Sequence, residues 1–464
     1  MKRLLSITGG LLGLLALTAL AVALALTFER LRTDVKLASQ AFQSPIETPT
    51  QPPYPPPASP TPPAPPATPT VAPIPVPRCT FAARPAPAEP GPPLEAYRFS
   101  EPQVVLTHTS AIGIAGWLPD GERLLITRLI PGQPREYVEV FNTRTGQLQR
   151  YGERHSLPGK PVWLAAHQAV AFADVASDNQ VVLRISRGEA APVETPVAGL
   201  AASFLEASPD GRQVVFFPLD AQNRPEALDV AQTKRQTFPG TLPLTSWQEL
   251  SALSQQYGPE PYRATWSPLG NQLAFYNDTG FYLVDGPSGQ ICEVDLGFEE
   301  GETRYGKRWA FVARWSPNGR YLAMLTTLGD APVGFSDLTI LDTSTGELRS
   351  THPERYIEPG RYYVTDLSWA PNSRDLAILV TVKVDEIGAS FDELYLAEIM
   401  SGEFRPLLSG WDFGRPWGGS LAWSYDGLQL AVLCPRPLQT TPPTAENRLC
   451  IIPIDRGDIK EGQP

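Results

Sequence analysis

A five-residue turn that recurs six times constrains the fold of this chain more than any other feature. The copies vary around Trp-Ser-Pro-Asn-Gly, and each is followed within two residues by an apolar run such as Tyr321–Leu325. They begin at Trp117, Ala207, Trp266, Trp315, Trp369 and Trp423. Most neighbouring copies lie roughly 45–60 residues apart, a period typical of a radial or solenoid repeat whose unit is one small sheet.

The copy at Trp315 indicates how one repeat unit folds. Phe311–Trp315 is predicted to be a first strand, followed by a tight turn in which proline presets φ and Gly319 accepts a positive φ. The next strands are predicted at Arg320–Thr326, at Asp337–Asp342 and from Glu347 onward. Four antiparallel strands in each unit predict the blade of a β-propeller.

The number of blades follows from a degenerate seventh copy. It fills the gap between Trp117 and Ala207, where strands from Val162 onward remain but the Pro-Asp-Gly turn is lost. The sequence therefore predicts an all-β fold, a seven-bladed beta-propeller of four-stranded antiparallel blades, with six or eight blades as alternatives. The last copy lacks a fourth strand, and Gln103–Thr107 precedes the first copy without a partner. Since an open sheet edge is unfavourable, this N-terminal strand is predicted to complete the last blade.

The turn followed by Leu-Ala closely resembles the repeat of TolB-like beta-propellers, which is also found in prolyl oligopeptidase-type peptidases. It is WD-repeat-like only loosely, because the Gly-His start and Trp-Asp end of a true WD repeat are missing. The resemblance covers Glu101 to about Asp455 and implies the fold but little about function. It also implies that a set of tryptophans packs between blades: Trp117, Trp163, Trp266, Trp315, Trp369 and Trp423. Because about ten residues follow the last blade, the hydrolase domain of those peptidases is not expected.

The N-terminus carries an uncharged run of 25 residues, Leu4–Phe28, preceded by Lys2 and Arg3. As a helix it would be long enough to cross a bilayer. A cleavable signal peptide with a site at Ala23–Ala25 is the alternative, but the run is longer than the usual apolar core of such peptides. Residues 1–36 are therefore predicted to be a signal anchor with a transmembrane helix. This predicts a single-pass protein of the cell membrane. Positive charges flank the run on both sides and do not set its orientation, so the extracytoplasmic position of the propeller is predicted from the proline-rich stalk that follows.

A proline-rich segment follows the predicted anchor. Of the 49 residues from Pro45 to Pro93, 21 are proline, which fixes φ and removes a hydrogen-bond donor. Residues 37–100 are predicted to be a disordered polyproline-type linker that joins neither sheet nor helix. The propeller is predicted at 101–457, and 458–464 form a C-terminal tail.

The four cysteines form no CxxC pair and no metal-ligand spacing. In an oxidising compartment Cys434 and Cys450 are predicted to pair, because they lie in neighbouring strands of the last repeat. A bond between Cys79 and Cys292, which would tie the linker to the body, is a second expectation. Four unpaired thiols are the alternative.

The two faces of the predicted ring differ in their loops. Turns within blades, between strands one and two and between strands three and four, are short and lie on what we call the short-turn face. Crossings between blades are long and rich in Tyr, Trp and Arg, residues that dominate binding hot spots, and lie on the long-loop face. The candidate binding residues on that face are Arg304, Tyr305, Arg308, Trp309, Tyr356, Arg361, Tyr362, Trp411, Arg415 and Trp417. Packing of these loops against one another is the alternative. One crossing also predicts a helix, Ser246–Tyr257.

Composition and missing motifs narrow the function. A net charge of -11 argues against nucleic acid as a partner. No serine-hydrolase, zinc-protease, phosphate-loop or calcium-loop motif is present, so neither an enzyme nor a cofactor or metal site is expected. The sequence predicts a membrane-anchored recognition or scaffold module that binds a protein, peptide or glycan through its long-loop face. The alternatives are an enzyme of the lyase or lactonase type with a site in the central channel, and a passive structural spacer.

Overall fold

Four-stranded antiparallel sheets dominate the regular structure of the chain in its computed structural model. The structure describes residues 76–81, 89–91, 97–157, 159–178, 180–188, 193–198, 205–218, 224–238, 242, 263–277, 280–286, 288–297, 308–328, 337–351, 362–384, 389–408, 411–412, 421–434, 436–437 and 447–456. All of them belong to the second of two units, 74–464. The predicted anchor Leu4–Phe28 and the predicted helix Ser246–Tyr257 lie outside the described residues. Among the described residues, no helix is long and apolar enough to cross a membrane.

The strands, numbered in chain order, group into seven blades. Before the first blade come β1 (Tyr97–Phe99) and β2 (Gln103–His108). Blade 1 contains β3 (Ile112–Trp117), β4 (Arg123–Leu129), β5 (Arg135–Asn142) and β6 (Leu148–His155). Blade 2 contains β7 (Val162–Leu164), β8 (Ala169–Val175), β9 (Val181–Ser186) and β10 (Val193–Ala198). Blade 3 contains β11 (Glu206–Ala207), β12 (Gln213–Phe216), β13 (Glu226–Asp229) and β14 (Lys234–Thr237). Blade 4 contains β15 (Arg263–Trp266), β16 (Gln272–Tyr276), β17 (Phe281–Asp285) and β18 (Ile291–Val294).

The second half of the ring continues the pattern. Blade 5 contains β19 (Arg308–Trp315), β20 (Tyr321–Leu328), β21 (Asp337–Asp342) and β22 (Glu347–Thr351). Blade 6 contains β23 (Tyr362–Trp369), β24 (Asp375–Val384), β25 (Ala389–Glu398) and β26 (Phe404–Leu408). Short strands β27 (Trp411–Asp412) and β30 (Arg436–Pro437) pair with each other. Blade 7 is built on β28 (Leu421–Trp423), β29 (Gln429–Leu433) and β31 (Asn447–Arg456). The predicted seven blades are confirmed.

The first-to-second strand turn has the geometry that its sequence predicts. Gly319 adopts φ 72°, a left-handed conformation that glycine accepts without steric cost. In blade 6 a serine replaces this glycine, and Ser373 adopts φ 58°. In the degenerate blade 2 a single 3-10 turn, Ala165–His167, connects the first two strands instead. The first hairpin of blade 2 therefore forms without the turn motif, because a different local turn connects its two strands.

Residues from before the first blade complete blade 7. Strand β2 pairs with β31 in antiparallel register, with Val104 opposite Cys450 and Leu106 opposite Leu449. The predicted closure of the ring by an N-terminal strand is therefore confirmed. Strand β1 also pairs with β31, with Phe99 opposite Ile454, so this blade has five strands instead of the predicted four.

Part of the proline-rich segment packs on the propeller, contrary to the prediction that it joins no sheet. Arg78 forms a parallel β-bridge with Glu293, at the outer edge of blade 4. The Glu293 amide donates to the carbonyl of Pro77, and the Cys79 amide donates to the carbonyl of Glu293, both at 2.8 Å. The pairing is possible because residues 78–84 contain no proline and keep their N–H donors, and because proline retains its acceptor.

The same segment then contacts blades 5, 6 and 7, and we call its described residues (76–81, 89–91 and 97–100) the strap. Glu89 forms an ion pair of 2.5 Å with Arg320 in blade 5. The Gly91 amide donates to the carbonyl of Asn372, in the turn of blade 6, at 2.7 Å. The propeller unit therefore begins before the predicted boundary at residue 101, since the strap makes main-chain hydrogen bonds to it.

Two disulfide bonds stabilise the propeller unit, one at the strap and one in blade 7. Cys79 is bonded to Cys292 and fastens the strap to β18. Cys434 is bonded to Cys450 within blade 7, and their Cα atoms are 4.8 Å apart. Since β2 pairs with Cys450, the second bond lies at the site where the ring closes.

The core consists of clusters between neighbouring blades. One cluster joins blades 5 and 6 through side chains such as Leu325, Val364 and Trp369. Second strands are covered on both faces, so that all five residues from Tyr321 to Leu325 are buried. Repeat tryptophans contribute to these clusters: Trp117, Trp315, Trp369 and Trp423 are each no more than 7% exposed. Trp163 and Trp266 occupy the same position in their blades but are only partly buried.

Candidate functional site

The residue before the repeat tryptophan, or before Ala207 in blade 3, lines a central channel in every blade. Side chains alternate across a strand, so when the tryptophan packs between blades its predecessor faces the axis. The seven residues at this position are Gly116, Val162, Glu206, Thr265, Arg314, Ser368 and Ala422, and all of them line one cavity. We call them the channel ring.

The cavity has a volume of about 450 Å³, within the range of small-molecule sites. Residues of the first-to-second strand turns also line it, including Pro119, Pro209 and Tyr425. Tyr425 is 66% exposed. The cavity therefore extends to the short-turn face of the propeller.

Four charged side chains from different blades line this cavity. Glu206 and Arg314 belong to the channel ring, in blades 3 and 5. Lys160 and Asp366 lie three residues before Trp163 and Trp369, which is one strand period further along the channel. Around the ring the charges follow the order Lys160, Glu206, Arg314 and Asp366, so positive and negative groups alternate.

The two carboxylates are anchored by backbone amides. Glu206 accepts a hydrogen bond of 3.4 Å from the amide of Trp266, and the Thr265 side chain also bonds to it. Asp366 accepts from the amide of Leu367 at 2.9 Å and from the amide of Leu421 at 3.4 Å. Each carboxylate is thus held by its own blade or by the next one in the ring.

The two cations are held differently. An amino group of Arg314 donates to the carbonyl of Ala313 at 2.9 Å, and the Arg314 side chain also bonds to Tyr276. The Tyr276 hydroxyl in turn accepts from the amide of Ala313 at 3.0 Å. For Lys160, no hydrogen bond within the described part of the chain involves the side-chain ammonium. Arg314 is therefore held by hydrogen bonds, whereas Lys160 lines the cavity without such a bond in the described part of the chain.

Burial shifts the pKa values of two of these groups towards neutral pH. Burial raises the pKa of Glu206 to about 7, although Arg314 and Lys160 oppose the shift. Burial lowers the pKa of Lys160 to about 8; the carboxylates of Asp366 and Glu206 oppose this shift, and Arg314 adds to it. Both groups can therefore change charge near physiological pH.

Of the ten binding residues predicted on the long-loop face, the structure describes four. Arg308 begins β19 and forms an ion pair of 2.8 Å with Asp337, and it also bonds to the Thr326 hydroxyl at 3.2 Å. Trp309 contacts Phe311 edge to face, with ring centroids 6.0 Å apart. Tyr362 begins β23, opposite Val382, and Trp411 lies in β27, opposite Pro437. The other predicted residues, Arg304, Tyr305, Tyr356, Arg361, Arg415 and Trp417, lie outside the described residues.

The four charged channel residues were not among the site residues predicted from the sequence. The signal was available, because the alternation of a strand next to an inward-packed tryptophan predicts which neighbours face the axis. A search for known catalytic motifs cannot detect them, since each comes from a different blade. Among the described residues, no group of three or more His, Cys, Asp or Glu side chains is arranged to hold a metal ion.

The seven blades, their turn motif and their closure define a seven-bladed beta-propeller with a charged central channel. Solved structures similar to this chain include TolB from Acinetobacter baumannii, with 12% identity over 69% of this chain and 76% of that one and a TM-score of 0.35. A putative TolB from Agrobacterium tumefaciens is 13% identical over 53% of this chain and 83% of that one, with a TM-score of 0.36. An oligogalacturonate lyase from Vibrio parahaemolyticus is 10% identical over 77% of this chain and 96% of that one, with a TM-score of 0.49. No family model and no curated protein matches the chain.

Proposed function

We propose that this chain is an extracytoplasmic recognition module, anchored in the cell membrane by its N-terminal apolar segment. Its partner is a protein, a peptide or a glycan, and it binds on the long-loop face. Beta-propellers present their loops on a rigid ring, and loops on a rigid scaffold are common positions for binding residues.

The observation that carries this proposal is the arrangement at the start of β19. Trp309 and Phe311 form an edge-to-face aromatic pair beside Arg308. Arg308 is held by Asp337 and Thr326, and only 11% of its side chain is exposed. A fixed cation beside a partly exposed aromatic pair loses little side-chain entropy on binding, which is the property of a hot spot.

Site-specific photo-crosslinking in the native membrane tests the proposal. A photo-reactive residue at position 309 should capture a discrete partner, and the additional substitution Arg308→Ala should abolish the adduct. The matched control carries the same probe at position 269, because Leu269 is 55% exposed and lies on the short-turn face. Identical adducts from both positions, or none from position 309, would count against recognition on the long-loop face and in favour of a passive spacer.

A second candidate is an enzyme of the lyase or lactonase type with its site in the channel. The observation that favours it is that Glu206 and Lys160 line one cavity with pKa values of about 7 and about 8. A group that titrates near the working pH is well suited to general acid–base catalysis. Turnover of uronate or lactone substrates that disappears in Lys160→Gln would support this candidate. Metal analysis of the purified protein distinguishes a metal-dependent form of it.

A further inference from the structure

The channel has an open sector and a charged sector. Blades 7 and 1 contribute only small side chains to the channel ring, Ala422 and Gly116, and Ala115 also lines the cavity, while the larger Tyr425 of blade 7 lines it from the turn on the short-turn face. A Cβ atom added at Gly116 would meet no atom within 4 Å. Space for a ligand therefore lies on the side of blades 7 and 1.

Opposite charges flank the open sector. Blade 6, which precedes the open sector, contributes Asp366 and Ser368 to the cavity lining. Blade 2, which follows the open sector, contributes Lys160. Lys160 and Asp366 stand at the same offset from their repeat tryptophans, and each influences the other electrostatically. The open sector therefore has an anion, Asp366, on one side and a cation, Lys160, on the other.

The remaining two charges repeat this polarity on the far side. Glu206 and Arg314 lie in blades 3 and 5, with the neutral Thr265 between them. Formally, the four groups cancel to zero net charge. A cavity with two separated cations and two separated anions favours a ligand whose own charges are opposite and separated, since a ligand with a single charge would leave half of the site unmatched.

We propose that the channel binds a small dipolar ligand that carries both a carboxylate and an ammonium group, as amino acids and short peptides do. The ligand lies in the open sector beside Ala422 and Gly116. Its carboxylate contacts Lys160, and its ammonium contacts Asp366 and the hydroxyl of Ser368. It enters from the short-turn face, so this site is separate from the long-loop face and does not depend on the function proposed for that face.

The site also accounts for the arrangement of Lys160. A lysine surrounded by protein is unfavourable unless an anion compensates it. Asp366 and Glu206 attract the ammonium of Lys160, but it makes no hydrogen bond within the described part of the chain. Because Lys160 lines the cavity, a ligand carboxylate there would supply the missing hydrogen bond and further compensation. Arg314 does not need this compensation to the same degree because Ala313 and Tyr276 already hold it.

Calorimetric titration of the full-length protein in detergent tests the proposal. The probes are glycine, β-alanine, γ-aminobutyrate and diglycine, which differ in the distance between their charges. Propionate and propylamine are the singly charged controls. We expect at least one dipolar probe to bind with a Kd of about 1 mM or lower, and the singly charged probes to bind at least about tenfold more weakly.

Two conservative variants and one steric variant locate the binding. Asp366→Asn and Lys160→Gln should each weaken the dipolar probe by about tenfold or more, and Ala422→Leu should abolish binding by filling the open sector. The wild-type ranking of the probes does not depend on how well any variant folds. No binding of any dipolar probe at about 10 mM, or equal binding of propionate, overturns the proposal. It is also overturned if binding is unchanged in folded Lys160→Gln.

Discussion

The indole Nε1 of Trp369 donates a hydrogen bond to the backbone carbonyl of Arg314, 2.8 Å away. The packing residue of blade 6 thereby fixes the channel residue of blade 5. The same bond joins Trp315 to the carbonyl of Thr265 at 3.0 Å, and Trp117 to the carbonyl of Ala422 at 2.8 Å across the closure of the ring. The repeat tryptophan therefore connects blade packing to the position of the channel ring.

Trp423 allows this bond to be tested with a matched control. Its Nε1 is buried and has no hydrogen-bond partner within the described part of the chain, although its ring packs against Tyr97 and Phe99. Trp369→Phe should lower the free energy of unfolding by about 1–2 kcal/mol more than Trp423→Phe, because only the first change removes a hydrogen bond. Equilibrium denaturation in urea measures both. Equal losses would show that the bond to Arg314 contributes nothing to stability.

Two equivalent glycines test how tightly the strap is packed. Gly346 and Gly146 occupy the same turn in blades 5 and 1, with φ of 79° and 72°. A Cβ at Gly346 would lie 2.5 Å from the Phe81 ring, whereas a Cβ at Gly146 would meet nothing within 4 Å. Both Gly→Ala variants should lose about 1 kcal/mol to backbone strain. Only Gly346→Ala should in addition increase hydrogen exchange in residues 76–81.

The control for that experiment compares the same two glycine substitutions in a protein that also carries Phe81→Ala. Removing the ring removes the clash, so Gly346→Ala should then cost no more than Gly146→Ala. If Gly346→Ala leaves the exchange of the strap unchanged, Phe81 does not rest on this turn in solution.

The two disulfide bonds should differ in their contribution to stability. Cys79 and Cys292 are separated by 213 residues, and Cys434 and Cys450 by 16. In the chain-entropy model, loops of these sizes correspond to about 5 and about 3 kcal/mol. The double variant Cys79→Ser/Cys292→Ser should therefore lose about 2 kcal/mol more than Cys434→Ser/Cys450→Ser, as measured by denaturation under non-reducing conditions. A larger loss for the short loop would indicate that the strap detaches before the ring unfolds.

The blades could be predicted from the sequence because each is a local structure. The turn after Trp315 and the apolar run Tyr321–Leu325 together specify a hairpin that is covered on both faces. The closure of the ring could also be predicted. In the sequence, the strand that contains Val104 belongs to no repeat and the last repeat has no fourth strand, and in the structure the two pair.

The main-chain pairing of the strap and the channel site were missed for different physical reasons, although the bond between Cys79 and Cys292 was expected. Proline-rich composition suggested a spacer, and the prolines around Arg78 and Cys79 concealed a short run that keeps its N–H donors. The channel site is assembled from residues such as Lys160 and Asp366, which lie in different blades and share no motif. Only the closed ring brings them together.

The pH dependence of stability tests the electrostatics of the channel. Burial raises the pKa of Glu206 from the usual 4.5 to about 7, so the folded state binds more protons than the unfolded state between these pH values. Stability attributable to this group is therefore lost as the pH rises from about 4.5 to about 7. Glu206→Gln removes the loss, and it should gain up to about 3 kcal/mol over the wild type above pH 7 and nothing below about pH 4.

Lys160 supplies the mirror-image control. Its pKa falls from 10.5 to about 8 on folding, so its destabilising effect is fully present below about pH 8 and is lost as the pH rises from about 8 to about 10.5. Lys160→Gln should therefore gain stability at neutral pH and lose that gain in alkali, opposite in direction to Glu206→Gln. Thermal unfolding of both variants and the wild type between about pH 4 and 11 measures the two curves. If the curves of variants and wild type run parallel over this range, neither group has the shifted pKa that its position in the channel implies.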